Sequence, residues 1–163
     1  MLRSWDHFMT ADSAVQTSEE LLILQSELGD LALVPPWIER MACAHTIPAH
    51  TEFAMNLCLE EILSNIIRHG YANEPGHAIA IRFSEIEKGD FQLAIEDQAP
   101  PFNPVTAPIS PIEETLEGRR DGGLGIRLVR NFAGNMKHES VVGGNRLIMR
   151  FPESIEAPGA PSE

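Results

Sequence analysis

The sequence predicts a single α/β domain in which helices pack on an antiparallel-dominated sheet. Strand-length apolar runs come in pairs around Gly-containing turns, which is hairpin chemistry. Long stretches with 3.6-residue apolar spacing separate those pairs and read as helices. A chain of 163 residues is long enough for one well-cored domain and too short for two ordinary ones.

Leu21-Leu22-Ile23-Leu24, within Glu20 to Ser26, is a short apolar run of strand length. Leu31 to Ala44 is helical in pattern, and Pro35-Pro36 must lie at the start of its regular part or interrupt it. Thr46-Ile47-Pro48 marks the next boundary. From Ala49 to about His69 runs the longest helical pattern, with Met55, Leu59, Ile62 and Ile66 on one apolar stripe. Ala78 to Ile86 and Phe91 to Glu96 form a hairpin around Glu87-Lys88-Gly89-Asp90.

Between Asp97 and Asp121 the composition changes. Prolines at 100, 101, 104, 108 and 111 predict a long irregular connection, of the kind that serves as a lid or binding loop or is disordered. Gly122-Gly123-Leu124-Gly125 then opens a helix that carries Ile126, Leu128, Val129 and Phe132 and ends at Gly134. Lys137 to Val142 and Arg146 to Phe151 close the domain as a second hairpin around Gly143-Gly144-Asn145. Residues 1–17 form an N-terminal extension, residues 18–151 the domain, and residues 152–163, rich in Pro, Ala, Ser and Glu, a disordered tail.

Hydrophobic content of 43% and charged content of 22% are those of a globular chain. The net charge of -12, from 12 basic and 24 acidic side chains, disfavours direct binding to nucleic acid or an anionic membrane. Cys43 and Cys58 sit in apolar surroundings without CxxC spacing, which argues for buried free thiols rather than zinc ligands or a disulfide. Met1 to Gln16 lacks the apolar core of a signal peptide, and no later run reaches membrane-spanning length. A cytoplasmic location is the resulting expectation.

Three constellations carry chemistry. The first is Glu61 and Asn65, an acid and an amide spaced i,i+4 on one face of the long helix. An amide oxygen is a hard, neutral ligand suited to Mg²⁺, and a carboxylate can take a proton from an attacking hydroxyl. Taken alone, the pair is explained better by an ordinary side-chain contact on a polar helix edge, and Glu60 competes for the role of base. The second is Asp97 at a strand end, followed by Gln98-Ala99-Pro100-Pro101-Phe102-Asn103-Pro104. An ionised Asp is acceptor-only and can receive a hydrogen bond from an exocyclic amino group such as that of adenine; the alternative is a solvent-facing turn acid. Phe102 reads as a core anchor by residue type. The third is the Gly122–Gly125 stretch beside Arg119, Arg120 and Arg127. Glycines at a helix start let backbone N–H groups approach an anion, although neither a Walker A loop nor a Rossmann fingerprint is present.

The order of the three, followed along the chain, resembles the ATPase domain shared by histidine kinases, gyrase-type topoisomerases and related chaperones. Within that superfamily the chain looks most like the small anti-sigma factor serine/threonine kinases. Their first motif typically reads Ser-Glu-x-x-x-Asn with an apolar pair and His-Gly or His-Ala; here it reads Glu60-Glu61-Ile62-Leu63-Ser64-Asn65-Ile66-Ile67-Arg68-His69-Gly70. The likeness extends over about 18–151, through Pro101-Phe102-Asn103-Pro104 to Gly144-Asn145-Arg146-Leu147.

The resemblance implies a two-layer sandwich, a mixed and mostly antiparallel sheet with helices on one face. It implies ATP and Mg²⁺ as ligands, Glu61 rather than Glu60 as general base, and Asn65 as Mg²⁺ ligand. Asp97 matches the adenine-binding acid, and Gly123 and Gly125 the phosphate-binding glycines. Arg68, His69, Ala99, Phe102, Gly122 and Leu124 complete the implied nucleotide-binding set. Ala99 departs from the common Asp-x-Gly pattern by a methyl group where backbone and purine come close, which a negative φ would accommodate. The implied activity is transfer of phosphate from ATP to a small anti-sigma-factor antagonist domain, with a sigma factor as the other partner and a homodimer as an assembly known in the family. A nucleotide-responsive binding module without catalysis is the rival reading. A histidine-kinase fragment is another, against which no phosphoacceptor helix precedes the domain.

Overall fold

The computed structural model describes residues 19–106 and 123–152. Within them, strand β1 (Glu20–Gln25) is followed by a 3₁₀ segment (Leu28–Leu33), helix α1 (Val34–His45) and helix α2 (Ala49–Asn65). A π-helical turn (Ile66–Gly70) continues α2, and the hairpin of β2 (Ala78–Glu87) and β3 (Asp90–Asp97) follows. Helix α3 (Gly123–Phe132) and a second hairpin, β4 (Asn135–Val141) with β5 (Gly144–Pro152), complete the described part. The expected N-terminal extension, the expected tail beyond Pro152 and the loop from 107 to 121 fall outside the described residues, as does Gly122; Pro152, expected to open the tail, instead ends β5.

The five strands lie in the order β1-β2-β3-β5-β4, and every described pairing is antiparallel. Alternation along the strands divides the two faces. Leu24, Ile79, Ile81, Phe83, Phe91, Leu93, Ile95, Leu147, Met149 and Phe151 point into the core, where they meet Trp37, Ile38 and Met41 of α1 and Met55, Cys58, Leu59 and Leu63 of α2. Leu21 and Ile23, on the opposite face, are exposed. The expected two-layer sandwich is the observed one, with a sheet that is antiparallel throughout the described strands rather than mixed.

Local sequence accounts for most element boundaries. Pro35 and Pro36 occupy the first turn of α1, where a missing N–H leaves no bond unmade. The helix ends at Thr46 in the left-handed region, whose N–H donates to the Ala42 carbonyl. Gly89 and Gly143, both with positive φ, close the two hairpins. Leu31 to Leu33, expected to be α-helical, belong instead to the 3₁₀ segment.

The apolar stripe of α2 is buried at Met55, Leu59 and Ile62. Its C-terminal end differs from a plain helix. The Tyr71 N–H reaches back five residues to the Ile66 carbonyl, at 2.9 Å, and the widened turn lets Ile67 stay buried while Arg68 and His69 project outward. Such π turns within helices occur frequently at functional sites.

The two thiols differ. Cys58 is buried, and burial, reinforced by the neighbouring Glu61 charge, pushes its pKa up to about 12. Cys43 is exposed, contrary to expectation, because α1 buries the face defined by Val34, Trp37, Ile38, Met41 and Ala42 and Cys43 lies off it.

Candidate functional site

Glu61 and Glu60 leave α2 in different directions, as consecutive helical residues must. Glu60 is exposed and borders a cleft of about 270 Å³ with Leu31, Ala32, Val34, Pro35 and Asn56. Glu61 is half-buried and lies against Gly125 in α3, so closely that a Cβ built at 125 would collide with its carboxylate. Burial raises the Glu61 pKa, the Glu60 charge raises it further, and Arg68 pulls it back. The result is a carboxylate held at the start of a Gly-rich helix with its proton affinity increased.

Asn65 closes α2 one turn later. Its side-chain Nδ2 is buried and has no hydrogen-bond partner among the described residues. A buried amide group left unpaired is costly, and oxygen and nitrogen are assigned rather than distinguished in a carboxamide. The fold therefore leaves this carboxamide unused, and a hard oxygen donor of this kind fits Mg²⁺, which takes few protein ligands and fills its shell with phosphate oxygens and water.

Asp97 ends β3 almost fully buried. Its Oδ1 accepts hydrogen bonds from the Ala99 N–H at 2.8 Å and from Asn145 Nδ2 at 3.0 Å. Its Oδ2 receives none among the described residues, which leaves one acceptor for a ligand. Burial raises the Asp97 pKa, against the Asn145 and Ala99 hydrogen bonds and the His138 charge.

Asn145 stands opposite Asp97 in the β3–β5 register and organises the turn beyond it. Besides Asp97, its Nδ2 donates to the carbonyls of Ala99 at 3.1 Å and Pro100 at 3.4 Å. Its Oδ1 accepts from the Phe102 N–H at 3.2 Å and pairs with His138 Nε2 at 3.3 Å. The residue-type reading gave Asn145 only a place in a hairpin turn. A buried Asn facing a strand-end Asp is the signal that identifies it, and that signal needs the strand register.

The two halves of the site are joined directly. The Tyr71 hydroxyl accepts a hydrogen bond from the Gln98 N–H at 2.8 Å, so the π turn after Asn65 holds the turn after Asp97. Beside it, Ala99 is buried with negative φ, and its methyl packs against Gly70. The substitution of Ala for Gly at 99 is thus accommodated inside the protein.

The remaining expected residues fall into place unevenly. Arg68 and His69 are exposed on the π turn. Phe102 is half-exposed at 50% and is no core anchor, because the turn held by Asn145 directs it outward; Val105 packs on the core instead. Gly123 and Gly125 lie in the first turn of α3. Leu124 lies between them, its side chain outside the described ones, and Gly122 is likewise outside. Arg130 of α3 donates to the Pro104 carbonyl through Nε at 3.2 Å and Nη2 at 2.7 Å, tying the helix to the beginning of the long loop.

A five-stranded antiparallel sheet under helices, with a polar helix edge facing a Gly-rich helix start, is the layout of an ATPase domain of the histidine kinase type. Residues 24–151 match the family model described as histidine kinase-like ATPase domain, and the chain belongs to that family. It is 30% identical over 122 residues to the serine/threonine-protein kinase BtrW of Bordetella bronchiseptica, a match spanning 74% of this chain and 84% of that protein. It is 29% identical over 79 residues to the anti-sigma F factor of Halalkalibacterium halodurans, covering 48% of this chain and 53% of that one. In fold it is similar to the solved RsbU and RsbW domains of a Mycobacterium tuberculosis protein, with a TM-score of 0.56 at 12% identity, over 83% of this chain and 32% of that one. Among the described residues no helix is long and apolar enough to cross a membrane.

Proposed function

We propose that the protein is an ATP-dependent serine/threonine protein kinase that acts as an anti-sigma factor. Its acceptor would be a small anti-sigma-factor antagonist domain of the STAS type, and its other partner a sigma factor, both in the cytoplasm. The observation that carries this reading is the seating of Glu61, a carboxylate of raised pKa, against Gly125 at the opening of α3. The names of the two relatives, one a kinase and one an anti-sigma factor, support the same reading.

Phosphoryl transfer depends on positioning and charge neutralisation more than on covalent help. In this reading the domain is 18–151. Asp97 receives the exocyclic amino group of adenine on Oδ2, with Ala99 and Phe102 bordering the base. Backbone N–H groups of Gly122 to Gly125 and the side chains of Arg68 and His69 receive the phosphates. Asn65 would hold Mg²⁺, whose contribution there would be neutralisation of the phosphate charge. Glu61 accepts the proton of the acceptor hydroxyl, a task that suits a carboxylate whose pKa burial has raised.

Incubation with γ-labelled Mg·ATP and antagonist domains tests the proposal. Label on a Ser or Thr of one such domain is the expected result. ATP binding without transfer to any of them points to a regulator that binds nucleotide and partner but does not catalyse.

A further inference from the structure

We infer that Gly70 is a positioning residue that secures adenine preference by leaving room for Ala99, and so for the turn that holds Asp97. The inference rests on the nucleotide-binding reading above. A Cβ built on Gly70 comes within 2.8 Å of the Ala99 Cβ, a separation that real Cβ atoms essentially never show. Neither atom is the end of a flexible side chain, so relief has to come from the backbone.

The backbone that would move is the one that fixes Asp97. The Ala99 N–H donates to Asp97 Oδ1 at 2.8 Å, the Ala99 carbonyl accepts from Asn145 at 3.1 Å, and the adjacent Gln98 N–H is held by Tyr71 at 2.8 Å. Pressure on Ala99 is therefore passed to the buried carboxylate, whereas a Cβ at Gly70 meets none of Glu61, Asn65 and Gly125 at the phosphate end. An acceptor-only carboxylate favours the amino group of adenine and repels the O6 carbonyl that guanine presents instead. Displacing that carboxylate should weaken adenine binding more than guanine binding.

The test is a double-mutant cycle read with fluorescent ADP and GDP analogues in Mg²⁺, using wild type, Gly70→Ala, Ala99→Gly and the double variant. Gly70→Ala should weaken ADP binding by about tenfold or more while changing GDP binding by less than about threefold, and the double variant should return to within about threefold of wild type. Unchanged ADP affinity in Gly70→Ala, a loss that Ala99→Gly does not restore, or parallel loss of ADP and GDP would each overturn the inference. Should Gly70→Ala fail to fold, a folded double variant with wild-type preference supports it, and an unfolded one refutes it. Wild-type protein that binds neither nucleotide overturns the functional reading first, and this inference with it.

Discussion

The Glu61 carboxylate rests on the Cα of Gly125, across the interface between α2 and α3, with no room for a side chain between them. This contact sets the acid's position relative to the Gly-rich helix start. Gly125→Ala must push the carboxylate aside, and a misplacement near 1 Å can cost about 100-fold in rate. The expected outcome is a fall of that order in phosphoryl transfer, measured as single-turnover label on the acceptor, with a smaller loss of nucleotide affinity.

The pH dependence of transfer should follow Glu61. Burial and the Glu60 charge hold its pKa above the ordinary 4.5, and Arg68 opposes them. A base works only when deprotonated, so the rate should rise with pH through that raised value. Glu60→Gln removes one raising influence and should move the acid limb to lower pH. A limb that does not move would assign it to another group.

Asp97 gives a stability prediction of defined sign. Its native pKa is raised above the ordinary 3.8, chiefly by burial. Ionised Asp97 therefore lowers stability at pH above the raised value, and the penalty disappears once the pH is below 3.8. Asp97→Asn keeps an oxygen for the Ala99 and Asn145 donors and carries no charge. It should be at least as stable as wild type at neutral pH by urea titration, with the advantage closing in acid. Its ADP affinity should fall about tenfold or more through loss of the acceptor.

Asn145 should matter for both stability and binding. Asn145→Ala withdraws the donor shared by Asp97, Ala99 and Pro100 and the acceptor of the Phe102 N–H. The expected cost is about 2 kcal/mol in chemical denaturation, since buried groups lose partners, together with weaker ADP binding because the Asp97 turn loosens. Wild-type values for both would contradict the role assigned to it.

The sheet was legible where local chemistry decides it. Lys88-Gly89 and Gly143 sit in turns with strand alternation on either side, and Met55, Leu59 and Ile62 fall on a single helical stripe. The α3 start was legible from its glycines. The π turn was not, because nothing local in Ile66–Gly70 demands it: burial of Ile67 and the Tyr71–Gln98 hydrogen bond are tertiary. The hub role of Asn145 was hidden for the same reason, since it depends on the β5 register placing Asn145 across from Asp97. The accommodation of Ala99 needed the position of Gly70, 29 residues earlier in the numbering, and no spacing rule links the two.

Glu61→Ala, compared with wild type in two parallel assays, tests the kinase assignment most directly. One assay follows binding of fluorescent Mg·ADP, the other transfer of γ-label from Mg·ATP to an antagonist domain. Retained nucleotide binding with transfer abolished is the predicted result. Undiminished transfer by Glu61→Ala would contradict the assignment of Glu61 as the base.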